Sequence, residues 1–160
     1  MLGHFGFSYI GCLFLLMLMI PNLLWTSRKP QGYTGDNENN ILLLFERSGE
    51  IVTSCCACIF ADFNIQPWTA WSWWLVAAFV LMVLYEYWWY RYFQSERMLK
   101  DFYRSLWIIP LGGATLPVLA FFCLGIYGRV GIMILGVLIL SIGHIGIHYQ
   151  HRKELDHVKN

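Results

Sequence analysis

Residues 130–149 read VGIMILGVLILSIGHIGIHY, twenty residues without an Asp, Glu, Lys or Arg. A helix needs about 20 predominantly apolar residues, at about 1.5 Å of rise each, to cross a hydrocarbon core about 30 Å thick. This run has that length. It ends on His144 and His148, which lie at i, i+4 on one helical face, with His151 one turn further on.

The rest of the composition asks for the same solvent. Of 160 residues, 58% are hydrophobic and 18% aromatic. Only 13% are charged, against about 25% in an average soluble domain. So few polar side chains cannot coat a soluble surface, and the mean hydropathy of +0.50 agrees. The expectation is an all-α integral membrane protein in one domain, with the lipid bilayer as its partner. Nothing in the charge pattern points to nucleic acid.

Working outward, four more runs have the required length. The spans are expected at about 5–25, 40–63, 68–93, 105–127 and 130–149, which makes a five-transmembrane-helix bundle. No basic residue precedes the first run and no small-x-small cleavage site follows it, so it reads as a retained span. Five spans put Arg28, Lys29, Arg47, Arg91, Arg97, Lys100, Arg104, Arg152, Lys153 and Lys159 toward one side and only Arg129 toward the other. Basic loops stay cytoplasmic, which predicts a plasma-type membrane with the N-terminus outside and the C-terminus cytoplasmic. Trp68, Trp71, Trp73 and Trp74 open the third run and Trp88 and Trp89 close it, as interfacial anchors would.

Ionisable groups inside a span cost about 2.5–3.5 kcal/mol each, so those present need partners or a function. Glu46 and Glu50 share a face of the second run, with Arg47 three residues from Glu50. Glu86 lies near the inner end of the third, with Tyr85, Tyr87 and Tyr90 as nearby donors. PLGGATLP, 110–117, is expected to kink or break the fourth. In the fifth, Gly136 and Gly143 suggest a close-packing seam on the side away from the histidines. Glu46, Glu50, Glu86, the broken segment and His144/His148, with Asn22 of the first run, fall in the cytoplasmic half of the membrane. That one-sidedness argues for a cytoplasm-facing cavity. Its candidate ligand- or ion-binding residues are Glu46, Arg47, Glu50, Glu86, Tyr90, His144 and His148.

Such a cavity suits a small ligand, proton or cation, with a transport role; a transporter this small is expected to work as a homodimer. Carboxylate and imidazole donors also suit a divalent metal, with His144, His148 and Glu86 as its ligand set; any other cofactor stays unknown. The alternatives are a membrane-embedded enzyme acting on a lipid or isoprenoid substrate, and a structural or accessory subunit without catalysis. The acid–base residues specify no reaction, so enzyme or not stays open. In the enzyme reading the basic stretch SERMLKDFYR, 95–104, would attract phosphate head groups. Cys12, Cys55, Cys56, Cys58 and Cys123 all lie in apolar runs and read as small buried hydrophobes rather than a disulfide framework or zinc knuckle. In size, span count and tryptophan content the chain is similar in outline to translocator proteins. It lacks their tryptophan–proline motifs, and also the Arg-His-Pro signature of isoprenylcysteine methyltransferases.

Overall fold

The computed structural model describes residues 3–30, 33 and 38–158, with side chains as far as 154. All regular structure among them is helical: α1 Tyr9–Thr26, α2 Asn40–Ile59, α3 Trp73–Gln94, the single turn α4 Leu99–Phe102, α5 Gly112–Gly128 and α6 Gly131–Val158. Two 3-10 turns, Ala61–Phe63 and Ala70–Ser72, lie between α2 and α3. Local chemistry fixes several starts. The Ser8 hydroxyl accepts the Gly11 N–H, and the Asn39 side chain accepts those of Ile41 and Leu42, so both helices have side-chain N-caps.

Three helical stretches are long and apolar enough to cross a membrane: Tyr9–Thr26, Ala70–Gln94 and Gly131–Glu154. α2 has the length but carries Glu46, Arg47 and Glu50. α5 has 17 residues, roughly 26 Å of helix. The expected fourth span began at 105, but 105–111 is not helical. Leu106 and Ile109 exchange backbone hydrogen bonds of 3.0 and 2.9 Å across a tight turn. Trp107 and Leu111 take left-handed φ values of 51° and 50°. Pro110 has no N–H to give and biases Ile109 away from helix, so the break falls ahead of the glycines rather than among them. Gly112 and Gly113 then lie on the Trp88 indole, where a Cβ would come within 2.8 and 2.6 Å of it.

α2 and α6 form the tightest pair. A side chain on Gly49 would overlap the Leu140 backbone, and one on Gly143 the Glu46 backbone. The expected glycine seam therefore exists, but it does not lie opposite the histidines. His144 adjoins Gly143 and reaches the same partner helix.

The long helices alternate in direction, so their ends gather at two poles. At one, the N-terminal segment pairs with 58–61: Gly6 and Ser8 donate to Ile59 and Cys58, and Ala61 donates to His4. Asn64 accepts the Tyr9 N–H and donates to the Phe7 carbonyl, both at 2.9 Å. Tyr127 bridges Gln66 and Asn64, and Arg129 lies 4.9 Å above the Trp71 ring. Here α1 and α2 touch backbone to backbone, since a Cβ on Gly11 would overlap the Ala57 carbonyl. The next residues, Cys12 and Cys58, bring their sulfurs to 3.7 Å. CCAC sets Cys55 and Cys58 at C-x-x-C spacing, yet the adjacent pair is Cys12–Cys58. Cys55 is exposed, so the buried-hydrophobe expectation fails for it. The other pole holds the ends of α1, α3 and α6, the starts of α2 and α5, and α4.

Candidate functional site

Beyond Gly11 and Ala57, α1 and α2 line opposite walls of a cavity of about 250 Å³ in the half of the bundle next to the second pole. α1 contributes Leu15, Leu18, Asn22 and Trp25, and α2 contributes Glu46, Glu50, Thr53 and Ser54. Tyr85, Trp88 and Trp89 of α3 form an aromatic wall, which Tyr33 and Phe102 extend from the connections. Pro117 and Phe121 of α5 and His144 and His148 of α6 complete it.

The central polar contact is Glu46 Oε1 to His144 Nδ1, 2.6 Å, with both side chains largely buried. It exists because Gly143 lets α6 press onto α2 at Glu46. A contact this short between imidazole and carboxylate is a charge-assisted hydrogen bond that holds one ring orientation. The His148 ring stands 4.7 Å from that of His144 and packs on Phe102 and Tyr103. No hydrogen bond to His148 is formed among the described residues. Across the cavity, Asn22 Nδ2 donates to the Tyr85 hydroxyl (2.8 Å), which in turn faces the Leu18 carbonyl. Among the described residues Thr53 Oγ1 is buried without a partner, and the buried Trp25 and Trp89 indole nitrogens have only the Tyr92 and Tyr85 hydroxyls nearby, short of a well-formed hydrogen bond.

Four of the seven residues singled out in the sequence meet here: Glu46, Glu50, His144 and His148. Three do not. Arg47 pairs with Glu50 at 3.3 Å, but its side chain is 73% exposed and points away from the cavity. Tyr90 is exposed on α3. Glu86 is not part of the wall, and among the described residues its buried Oε1 has no partner. On α3 it is rotated away from Tyr85 and Trp89, which turn inward. The ligand set His144, His148 and Glu86 is therefore not assembled. Among the described residues no three His, Cys, Asp or Glu side chains converge as a bound metal requires.

Other residues take unexpected places. Trp88 and Trp89 are 4% and 3% exposed, so they are core and cavity wall rather than interfacial anchors. Trp88 donates to the Arg104 carbonyl at 3.2 Å and stacks on Tyr92. His151, one turn beyond His148, is buried and meets Glu38 at 3.1 Å. Tyr33 and Tyr103 flank that pair. Burial pushes the Tyr33 hydroxyl above its usual range, with the Glu38 and Glu46 carboxylates adding to it. Burial raises Tyr103 likewise, with Tyr33, Glu38 and Glu154 adding to the effect. Both stay neutral, and Tyr33 lines the cavity. Glu38 and Tyr33 sit in a polar connection with no periodicity, and no spacing in the sequence pointed to them.

Comparison with protein-family models, with curated proteins and with solved structures finds no match to this chain.

Proposed function

We propose that the chain is a five-span bundle of a plasma-type membrane, N-terminus outside and C-terminus cytoplasmic, whose inner cavity binds a small ligand, proton or cation in a transport role. The basic residues support the topology, because among the described residues the pole carrying the ends of α1, α3 and α6 carries nine of the ten Lys and Arg residues. In this topology α2 crosses despite its charges, since Glu46 faces His144 and Glu50 is paired with Arg47. α5 crosses with help from the apolar turn 106–111 before it, whose backbone groups pair with each other.

The observation that carries the reading is the Glu46–His144 contact in the cavity wall. In this reading the 2.6 Å contact holds a proton between imidazole and carboxylate. A cation entering the cavity competes with that proton for Glu46, so uptake of one is linked to release of the other. His148 offers a second imidazole one helical turn further toward the basic pole. Among the described residues no Lys or Arg lines the cavity, while the Glu46 and Glu50 carboxylates do, which supports a preference for positive charge.

The test is proton release from protein in liposomes on addition of alkali, divalent or small organic cations. The expected result is release by at least one cation class in wild type and at least a tenfold loss in Glu46→Gln. Equal release in Glu46→Gln and wild type would overturn the reading. Elemental analysis of wild type and His144→Ala/His148→Ala adds a second arm: a stoichiometric metal lost in the double variant would replace proton exchange with a metal site.

A further inference from the structure

A second polar site lies outside the cavity, at the same pole. Arg91 of α3 and Arg104, which follows α4, flank a small pocket of about 30 Å³ with Ser95, Asp101 and Ser105. Among the described residues neither guanidinium has a hydrogen bond or ion pair. Asp101, the one carboxylate in the wall, already accepts the Met98 N–H at 3.1 Å. Arg152 brings a third guanidinium to 3.4 Å from Ser105 Oγ. Unpaired guanidinium forks beside a hydroxyl match the oxygens of a phosphate.

The neighbouring surface is apolar. Tyr87 lies one turn before Arg91 and stacks on Trp107, with ring centroids 6.4 Å apart. Trp107 and Ile108 form the tip of the tight turn and are 71% and 95% exposed. Back along α3, Val83 and Val80 continue the exposed stripe at helical spacing and line one end of an almost wholly apolar groove. From Arg91 to Val80 is eleven residues, roughly 16 Å of helix, about half of a 30 Å hydrocarbon core. A cationic pocket followed by one leaflet's depth of apolar surface has the layout of a single amphiphile.

We propose that Arg91 and Arg104 hold the phosphate of an anionic phospholipid in the leaflet at the basic pole, with its acyl chains lying along Tyr87, Trp107 and Val83. This site is independent of the cavity and of any activity there. It needs only that the chain sits in a bilayer. The basic stretch 95–104 gains a specific role in it, since Arg104 is its last residue and Ser95 its first.

Native mass spectrometry of the full chain, released from mixed phosphatidylcholine and phosphatidylglycerol, tests it. Wild type is expected to retain one phosphatidylglycerol in preference to phosphatidylcholine. Arg91→Gln/Arg104→Gln should lose at least fivefold in retained lipid, while Arg129→Gln at the opposite pole should lose none. No preference in wild type, or an equal loss in Arg129→Gln, would overturn the proposal. Displacement of the lipid by inorganic phosphate at equal concentration would also overturn it and make the pocket a free-phosphate site. Should the double arginine variant not fold, Trp107→Ser/Ile108→Ser decides, because both side chains are exposed and carry little of the core. Undiminished lipid retention in that variant would sink the proposal.

Discussion

The two poles of this bundle are finished to different degrees. At the pole holding the N-terminal segment, polar groups answer one another. Asn64 ties Phe7 and Tyr9, Tyr127 ties Asn64 and Gln66, and the Trp71 indole donates to the carbonyls of Ile126 and Tyr127. In the other half, a cavity opens where α1 and α2 stop touching. The unpartnered buried atoms of Thr53, Glu86, Trp25 and Trp89 lie in that half or at its border. Each such atom costs about 1–3 kcal/mol. Among the described residues, one half pairs its buried polar groups and the other leaves several of them without a hydrogen bond.

The strongest way to sharpen this contrast is to lock the closed pole. Mild oxidation with copper phenanthroline should join Cys12 to Cys58, whose sulfurs are 3.7 Å apart, by removing two thiol hydrogens. Closing a loop of this length adds about 4 kcal/mol of stability in the chain-entropy account. The measurement is the unfolding midpoint in detergent, with alkylation counted by mass spectrometry. If the poles are independent, cross-linked protein keeps its proton release. Loss of release on cross-linking would show instead that α1 must pivot about Gly11 and Ala57.

Next in size is Asn64→Ala. It removes the acceptor of the Tyr9 N–H and the donor to the Phe7 carbonyl in one step. The expected cost is about 2 kcal/mol, from two partners left without bonds. A cost below about 0.5 kcal/mol would mean that water replaces Asn64 freely, and the closed pole would not be a seal at all.

His148→Phe probes the unfinished half in the opposite sense. The imidazole makes no hydrogen bond among the described residues, and its ring packs on Phe102 and Tyr103. A phenyl ring of similar shape should raise stability by about 1 kcal/mol while weakening cation or proton binding, as changes at strained functional sites tend to do. A clear drop in the unfolding midpoint would place His148 among the structural residues and remove the asymmetry between the poles.

How far the sequence foretold this arrangement depends on the residue. Glu46, Glu50, His144 and His148 were legible, because helical spacing assigns a face and hydropathy assigns a depth. Gly143 was legible as a seam, but not its direction, since periodicity fixes angles within a helix and not the angle between two. Glu86 and Tyr90 misled for the same reason: they share the depth of the cavity but not its face. Trp88 and Trp89 read as anchors because tryptophan at a helix end usually is one. Gly112 and Gly113 are what let α5 approach and bury Trp88. Residues 105–111 were hydrophobic enough for a span, but Pro110 and two left-handed residues made a turn of them.

The smallest effect expected is also the one with the most specific pH signature. His4 donates its backbone N–H to Asp62, and its Nδ1 lies 2.8 Å from Asp62 Oδ1, closing a clasp at the N-terminal pole. The hydrogen bond to Asp62 and its negative charge hold the imidazole above the ordinary 6.5. Burial pushes Asp62 up, but its bonds from His4 outweigh that and leave it below the ordinary 3.8. The signs follow from linkage. The histidine's contribution is fully present below pH 6.5 and is lost as pH rises through its raised value. The carboxylate's contribution is present above 3.8 and is lost as pH falls through its lowered value. The clasp is therefore strongest between about pH 4 and 6.5. The Ala61 N–H, which donates to the His4 carbonyl, reports on it. Its hydrogen-exchange protection, taken as a ratio to Asp62→Asn at each pH to cancel intrinsic chemistry, should be highest in that window and fall severalfold by pH 8. A ratio flat from pH 5 to 8 would mean that backbone pairing alone holds the segment, and that His4, almost fully exposed to water, adds nothing to the seal.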